Sequence, residues 1–243
     1  MEYSKLSKNR IKELAKLKQK KYRLAEGRVV VEGIRILLQM KEYGLTPIEQ
    51  YLGEGGKAMW DGVPAFELRD WEFAAICDSE HPSGLAALFP VPEPHRVDFR
   101  RAFYLDGISD PGNLGTIFRL AAAFSLDSLF LSPSCVEISS PKVIRASLGS
   151  VYAVPYEVLG FEGITAKDAR LLVTDARSGS PLRDLRLSPE DRVIIVLGSE
   201  AHGISSELMQ AANSVVTVEM GRGIESLNVA VAAGIIAHHL YTG

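Results

Sequence analysis

The feature that most restricts the fold of this chain is an apolar run near its end. From Val229 to Ala237 every residue is Val, Ala, Gly or Ile. Ser226 precedes the run and is a good N-cap, which predicts a helix from Ser226 towards Leu240. A helix that is apolar on all sides must be buried. Asn228 nevertheless sits in its first turn, and a buried polar side chain needs a hydrogen-bond partner. Two polar groups at the start of such a helix suggest a site there. The plainer reading is that Ser226 caps the helix and Asn228 satisfies a neighbouring loop.

The rest of the chain says what that helix packs against. Residues 102–106, 128–132, 151–157, 171–175, 193–197 and 215–219 read as strands. Helical stretches at 114–124, 141–147, 164–169 and 205–212 separate most of them, with Asn113 the expected cap of the first. That alternation predicts an α/β fold with a parallel sheet covered by helices on both faces. Upstream, a basic helix, strands at 28–32, 47–52 and 85–89, helices at 33–43 and 67–77, and a turn at 81–84 make a smaller α/β unit. Pro90, Pro92 and Pro94 form a stiff connector, which places the boundary between a domain 1–95 and a domain 96–243.

Ligands of open parallel sheets sit beyond the carboxyl ends of the strands. Three glycine-containing loops fall at such ends, at 107–113, 198–203 and 221–227. Together they point to a small-molecule pocket. No phosphate-binding Gly-x-x-x-x-Gly-Lys motif and no dinucleotide fingerprint occurs, and Ser199 forms no nucleophile elbow. The five histidines are scattered and Cys77 and Cys135 lack ligand spacing, so no metal is expected. Reduced thiols, no signal-like start and no membrane-length apolar run fit a cytoplasmic protein.

Charge adds a partner. Residues 1–28 carry a net +7 and the remainder −10. A basic segment on an acidic protein suggests nucleic acid; a solvated amphipathic helix with Ile11, Leu14 and Leu17 inward is compatible with it. Arg119 lies among Leu114, Ile117, Phe118, Leu120 and Ala121. A guanidinium cannot shed its charge, so it must meet an anion, carbonyls or water. Glu200 and carbonyls near Asn228 are the partners considered, and a structural ion pair is as acceptable as a functional role.

Asn113-Leu114-Gly115-Thr116-Ile117-Phe118-Arg119, Val196 to Gly203, and Met220 through Ser226-Leu227-Asn228-Val229 to Ala233 resemble, in order, the three motifs of the SpoU (TrmH-like) RNA ribose 2′-O-methyltransferases of the SPOUT superfamily. Pro141–Ser147 resembles the intervening segment, and residues 1–95 more loosely resemble the family's ribosomal-protein-like RNA-binding domain. The resemblance implies a deep trefoil knot, a homodimer formed through the knotted domains, and S-adenosylmethionine as cofactor. By the same resemblance Leu197, Gly198, Val218, Met220 and Leu227 bind the cofactor, and Asn113, Arg119, Glu200, Ser226 and Asn228 form the active site. Arg119 is then expected to point into the pocket and orient the 2′-hydroxyl. Asn113 and Asn228 would hold Arg119 and the ribose, and Glu200 would fix the guanidinium. Ribosomal RNA is favoured over transfer RNA as substrate. The alternatives are a tRNA ribose methyltransferase, a non-catalytic RNA-binding or ribosome-assembly protein, and a nucleotide-dependent oxidoreductase.

Overall fold

The structure is a computed structural model that describes residues 3–79, 83–221 and 224–242. His81, Pro82 and Gly223, used in the sequence reading, lie outside the described residues. The chain divides into two compact units, residues 1–93 with 137–149, and residues 94–136 with 150–243. The division at 93/94 falls in the proline connector. The segment 137–149, placed by sequence in the second domain, packs instead with the first unit.

The first unit contains β1 (Ser4–Lys5), α1 (Lys8–Lys16), α2 (Lys20–Glu26), β2 (Arg28–Glu32), α3 (Ile34–Glu42), β3 (Glu49–Leu52), β4 (Ala65–Glu67), α4 (Asp70–Ile76) and β5 (Leu85–Pro90). Its sheet runs β1-β4-β3-β5-β2, with β5 antiparallel to both neighbours. The expected single basic helix is two. The Ser7 hydroxyl accepts from Arg10 N and starts α1, which turns off at Leu17, and Gly27 ends α2 at φ 63°, a conformation that costs glycine little. Ile11 and Leu14 face a core of Tyr51, Leu68, Phe73 and Leu88. Buried Gln50 satisfies the loop beside it: its amide donates to the Trp60 and Val63 carbonyls and accepts from the Met59 and Trp60 amides.

Arg23, 4% exposed, shows what holds 137–149 in this unit. Its Nη2 and Nε reach the two Glu137 carboxylate oxygens at 2.8 and 3.2 Å, and Nη1 donates to the Leu17 and Lys18 carbonyls. A buried charge is tolerated only with such a full set of partners.

The second unit contains β6 (Arg101–Asp106), α5 (Pro111–Ala123), β7 (Ser128–Leu131), β8 (Tyr156–Val158), α7 (Phe161–Thr165), β9 (Arg170–Thr174), β10 (Ser180–Pro181), β11 (Val193–Gly198), α8 (Ser206–Ala211), β12 (Ser214–Thr217) and α9 (Val229–Thr242); α6 (Pro141–Ala146) lies in the segment that joins the first unit. All neighbours in its sheet, β10-β12-β9-β11-β6-β7-β8, are parallel. The central strands read as unbroken apolar runs because both faces are covered. Tyr104, Phe130, Val173, Ile194 and Val196 form one core layer. Four local expectations need correction. The strand assigned to 151–157 is a 3-10 turn at Ser150–Tyr152 followed by β8, because Pro155 has no N–H for the ladder. Asp110 caps α5 in place of Asn113, since Pro111 at N1 presets the first turn and Asp110 Oδ1 accepts from Asn113 N at 2.8 Å. Asn228 begins α9 in place of Ser226. And α9 is not buried all round: Val231 and Ile235, four residues apart, stay 52% and 42% exposed.

Candidate active site

Three loops leave the carboxyl-terminal end of the parallel sheet and enclose a cleft of about 380 Å³ in the second unit. Residues 174–176 follow β9, residues 197–204 follow β11, and Val218, Met220, Ser226 and Leu227 precede α9; the expected loop 107–113 does not line the cleft, and the loop after β9 takes its place. Val229, Ala232 and Ile236 of α9 make the apolar floor, with Ile204 and Met209. The loop after β11 is unusually tight. The Ser199 and Gly203 main chains exchange hydrogen bonds of 3.1 and 2.8 Å. A Cβ on Gly198 would fall 2.3 Å from the Gly203 carbonyl carbon, so only glycine fits. Gly203 itself takes φ 67°, open to glycine at no steric cost.

At the rim three side chains interlock. Asn228 Oδ1 accepts from Ala230 N and Val231 N, two of the orphan donors at the start of α9. Its Nδ2 donates to Glu200 Oε1 at 2.7 Å and to Asn113 Oδ1 at 3.1 Å. Asn113 Nδ2 donates to the same Glu200 oxygen at 2.8 Å. The carboxylate thereby fixes which way both amides face, and the triangle ties α5, the loop after β11 and α9 together.

All five residues assigned to the cofactor, Leu197, Gly198, Val218, Met220 and Leu227, line the cleft, as do Ser226 and Glu200. Asn113 and Asn228 reach it through Glu200. Arg119 does not. It is exposed, contributes nothing to the cleft wall, and among the described residues makes no ion pair or hydrogen bond. Helix α5 turns Leu114, Ile117, Phe118 and Ala121 onto the sheet, and position 119 falls outside that stripe. The expected Glu200–Arg119 pairing is thus replaced by the two asparagine amides.

Sequence reasoning passed over Asp175 at the end of β9. Its Oδ1 accepts from Arg177 N, Ser178 N and the Ser178 hydroxyl at 2.8, 2.8 and 3.0 Å. The Arg177 amide first, then the Ser178 donors, hold its carboxyl below the usual 3.8 despite some burial, so an anion stands on the cleft wall. Its position just past a parallel strand was the available signal. A cleft of this size with an apolar floor, main-chain turns and a few polar groups suits a nucleoside-sized ligand. Among the described residues no group of three metal-ligating side chains exists.

Comparison with known proteins agrees with that reading. Residues 8–87 match the MRM3-like substrate binding domain. The chain is 27% identical over 239 residues to the 23S rRNA (guanosine(2553)-2′-O)-methyltransferase RlmP of Bacillus subtilis, covering 95% of each chain. It is 30% identical over 240 residues to an uncharacterized tRNA/rRNA methyltransferase of Mycobacterium tuberculosis, covering 88% of this chain and 83% of that one. A putative RNA methyltransferase of the TrmH family from Porphyromonas gingivalis superposes with a TM-score of 0.83 at 29% identity, over 97% of this chain and 98% of its own. The SpoU rRNA methylase model itself matches residues 100–238, more than half of the chain, with all three cleft loops inside the match, and the protein therefore belongs to the SpoU rRNA methylase family.

Proposed function

We propose that the protein is an S-adenosylmethionine-dependent methyltransferase acting on a ribose 2′-hydroxyl of ribosomal RNA in the cytoplasm. The observation that carries this reading is the convergence of three separated loops on one cleft whose rim is the Asn113–Glu200–Asn228 triangle. The chemistry of the lining suits the cofactor: main-chain turns and Leu197, Met220 and Leu227 for an adenosyl group, and the Asp175 and Glu200 carboxylates for a cationic ligand. When bound, S-adenosylmethionine supplies an already activated sulfonium methyl group.

The chain's own task is alignment, which accounts for a large share of such a rate. Glu200 holds both asparagine amides; Asn113 keeps one N–H and one lone pair for the ribose, whereas Asn228, with both N–H groups and both lone pairs used, positions Asn113 and Glu200. Ser226 adds a hydroxyl at the same rim. The tight loop at Gly198–Gly203 fixes one wall of the cleft that would hold the cofactor. A knotted path of the chain before α9 through the loop after β11 rests on the family resemblance, since unknotted chains are otherwise so prevalent.

Arg119 enters through a second copy of the chain. Leu120 packs on Gly234, whose added Cβ would sit 3.4 Å from a Leu120 methyl. Arg119 and the exposed Val231 and Ile235 therefore border one α5–α9 seam. A homodimer covering that seam buries the apolar pair and gives the solitary guanidinium a site to serve, orienting the 2′-hydroxyl and its neighbouring phosphate. The match to a substrate-binding domain supports RNA capture by the first unit.

The test is titration of S-adenosylmethionine into the protein, followed by transfer of labelled methyl groups to ribosomal RNA. A nucleic-acid-binding module without activity would bind RNA and transfer nothing.

A further inference from the structure

The ten cations of residues 1–28 are not equivalent. Three are spent inside the first unit. Arg10 pairs with Glu49 at 2.7 Å and Glu13 at 3.2 Å. Lys18 Nζ donates to the Ala74 carbonyl at 2.9 Å. Arg23 is buried on Glu137. None of these is available to a ligand without loss of structure.

Lys8, Lys12 and Lys16 form a row. All three are exposed, and among the described residues none forms an ion pair or a hydrogen bond. They recur every four residues on the solvent side of α1, opposite buried Ile11 and Leu14. One such step advances about 6 Å along a helix. The row continues across the break into α2: Lys16 Nζ lies 5.7 Å and Lys21 Nζ 4.7 Å from the centroid of the Tyr22 ring. Tyr22 is anchored by packing against the core of the unit, so the last two ammonium groups are gathered at a fixed point.

We infer that Lys8, Lys12, Lys16 and Lys21 form a phosphate-tracking ridge that holds successive phosphates of one RNA strand. The inference rests on the RNA substrate proposed above and names the residues that grip it. Four uncommitted ammonium groups in a row, on a chain otherwise −10, mark where a polyanion approaches. Lysine point charges on flexible stems match phosphates without reading base sequence, so the ridge supplies affinity and leaves the choice of nucleotide to other groups.

The test uses the full-length protein and an in vitro transcript of large-subunit ribosomal RNA. Affinity is measured across a series of salt concentrations for wild type, for K8Q/K12Q/K16Q/K21Q, and for a control, R35Q/K57Q, which neutralises two exposed cations elsewhere in the first unit. The ridge variant should flatten the log–log salt slope by about 3, from the 0.7–0.9 expected per phosphate contact, while the control leaves it unchanged. S-adenosylmethionine affinity should match wild type and thermal stability should fall little, since what the substitutions remove inside the unit is the contact of Lys16 and Lys21 with the Tyr22 ring. An unchanged slope in the ridge variant, or an equal loss in the control, overturns the inference. Failure of wild type to transfer methyl groups at all instead overturns the proposed function, so the two failures are distinguishable.

Discussion

Arg23 and Arg119 sit on helices of different units, and they have opposite fates. Arg23 is 4% exposed with four polar contacts, two of them to one carboxylate. Arg119 is exposed and has no protein partner among the described residues. Both obey one rule, that a guanidinium keeps its charge and must be solvated by something. The first is solvated by the fold and serves structure. The second is solvated by water in the single chain, which leaves it free to serve a substrate or a second copy. Burial with a full set of partners is the mark of a structural arginine, whereas an exposed one without partners is available for a function that only its place beside a site can assign.

The largest effect that can break this comparison is at Arg23. Arg23→Ala should destabilise the protein by about 2–4 kcal/mol, because it removes a buried guanidinium with four contacts and leaves the part-buried Glu137 carboxylate with the Ser139 hydroxyl alone among these partners. Denaturant unfolding measures this, and a loss under about 1 kcal/mol would mean the pair is solvated after all. Arg119→Ala should leave the unfolding midpoint within experimental scatter yet lower turnover about 10²- to 10³-fold, as loss of one well-placed donor does. Cofactor affinity should hardly move; an equal loss of binding and turnover would assign Arg119 to folding. The seam gives a third contrast. Val231→Asp with Ile235→Asp removes exposed apolar area only, so it should leave the monomer folded, abolish dimers in sedimentation, and lower turnover with them. Persistence of dimers would place the second copy elsewhere.

Two smaller effects sharpen the rim. Asn228→Asp keeps the oxygen that caps α9 but replaces the amide donor to Glu200 with a like charge. It should cost at most about 1 kcal/mol of stability while lowering turnover, whereas Asn228→Ala should cost about 1 kcal/mol through the lost cap alone. Asp175→Asn preserves the Oδ1 acceptor of its turn and removes charge, so it should weaken cofactor binding with little change in stability. Because its native carboxyl titrates below 3.8, the stabilisation it lends is complete above that value and fades as pH falls through the lower native one. In the Asn variant that acid-side loss should shrink in a thermal-melt pH series.

The parts legible in the sequence were those fixed by local patterns. Strands at Arg101–Asp106, Ser128–Leu131 and Val193–Gly198 are apolar on both faces and short, which only a covered parallel sheet explains. The two- and three-residue strands Ser4–Lys5, Ala65–Glu67 and Ser180–Pro181 were missed because such lengths carry no period. Caps were misplaced by a few residues wherever two candidates competed, as with Asp110 and Asn113. Two of the cleft loops, after β11 and before α9, could be found from their glycines and their place at strand ends, but the loop at 174–176 has no glycine, and the Asn113–Glu200–Asn228 triangle joins positions 87 and 115 residues apart, beyond any spacing rule. The direction of Arg119 was readable after all. Leu114, Ile117, Phe118 and Ala121 define the buried stripe of α5 at helical spacing, and residue 119 lies off it.

The most direct measurement is a ribose-methylation map of ribosomal RNA incubated with the protein and S-adenosylmethionine. A methylated 2′-oxygen cannot attack the adjacent phosphate, so each modified linkage resists alkaline cleavage. The expected result is a discrete protected linkage that appears with wild type and disappears with Arg119→Ala. Cofactor binding without any protected linkage, or protection that survives loss of the guanidinium, would contradict the central claim.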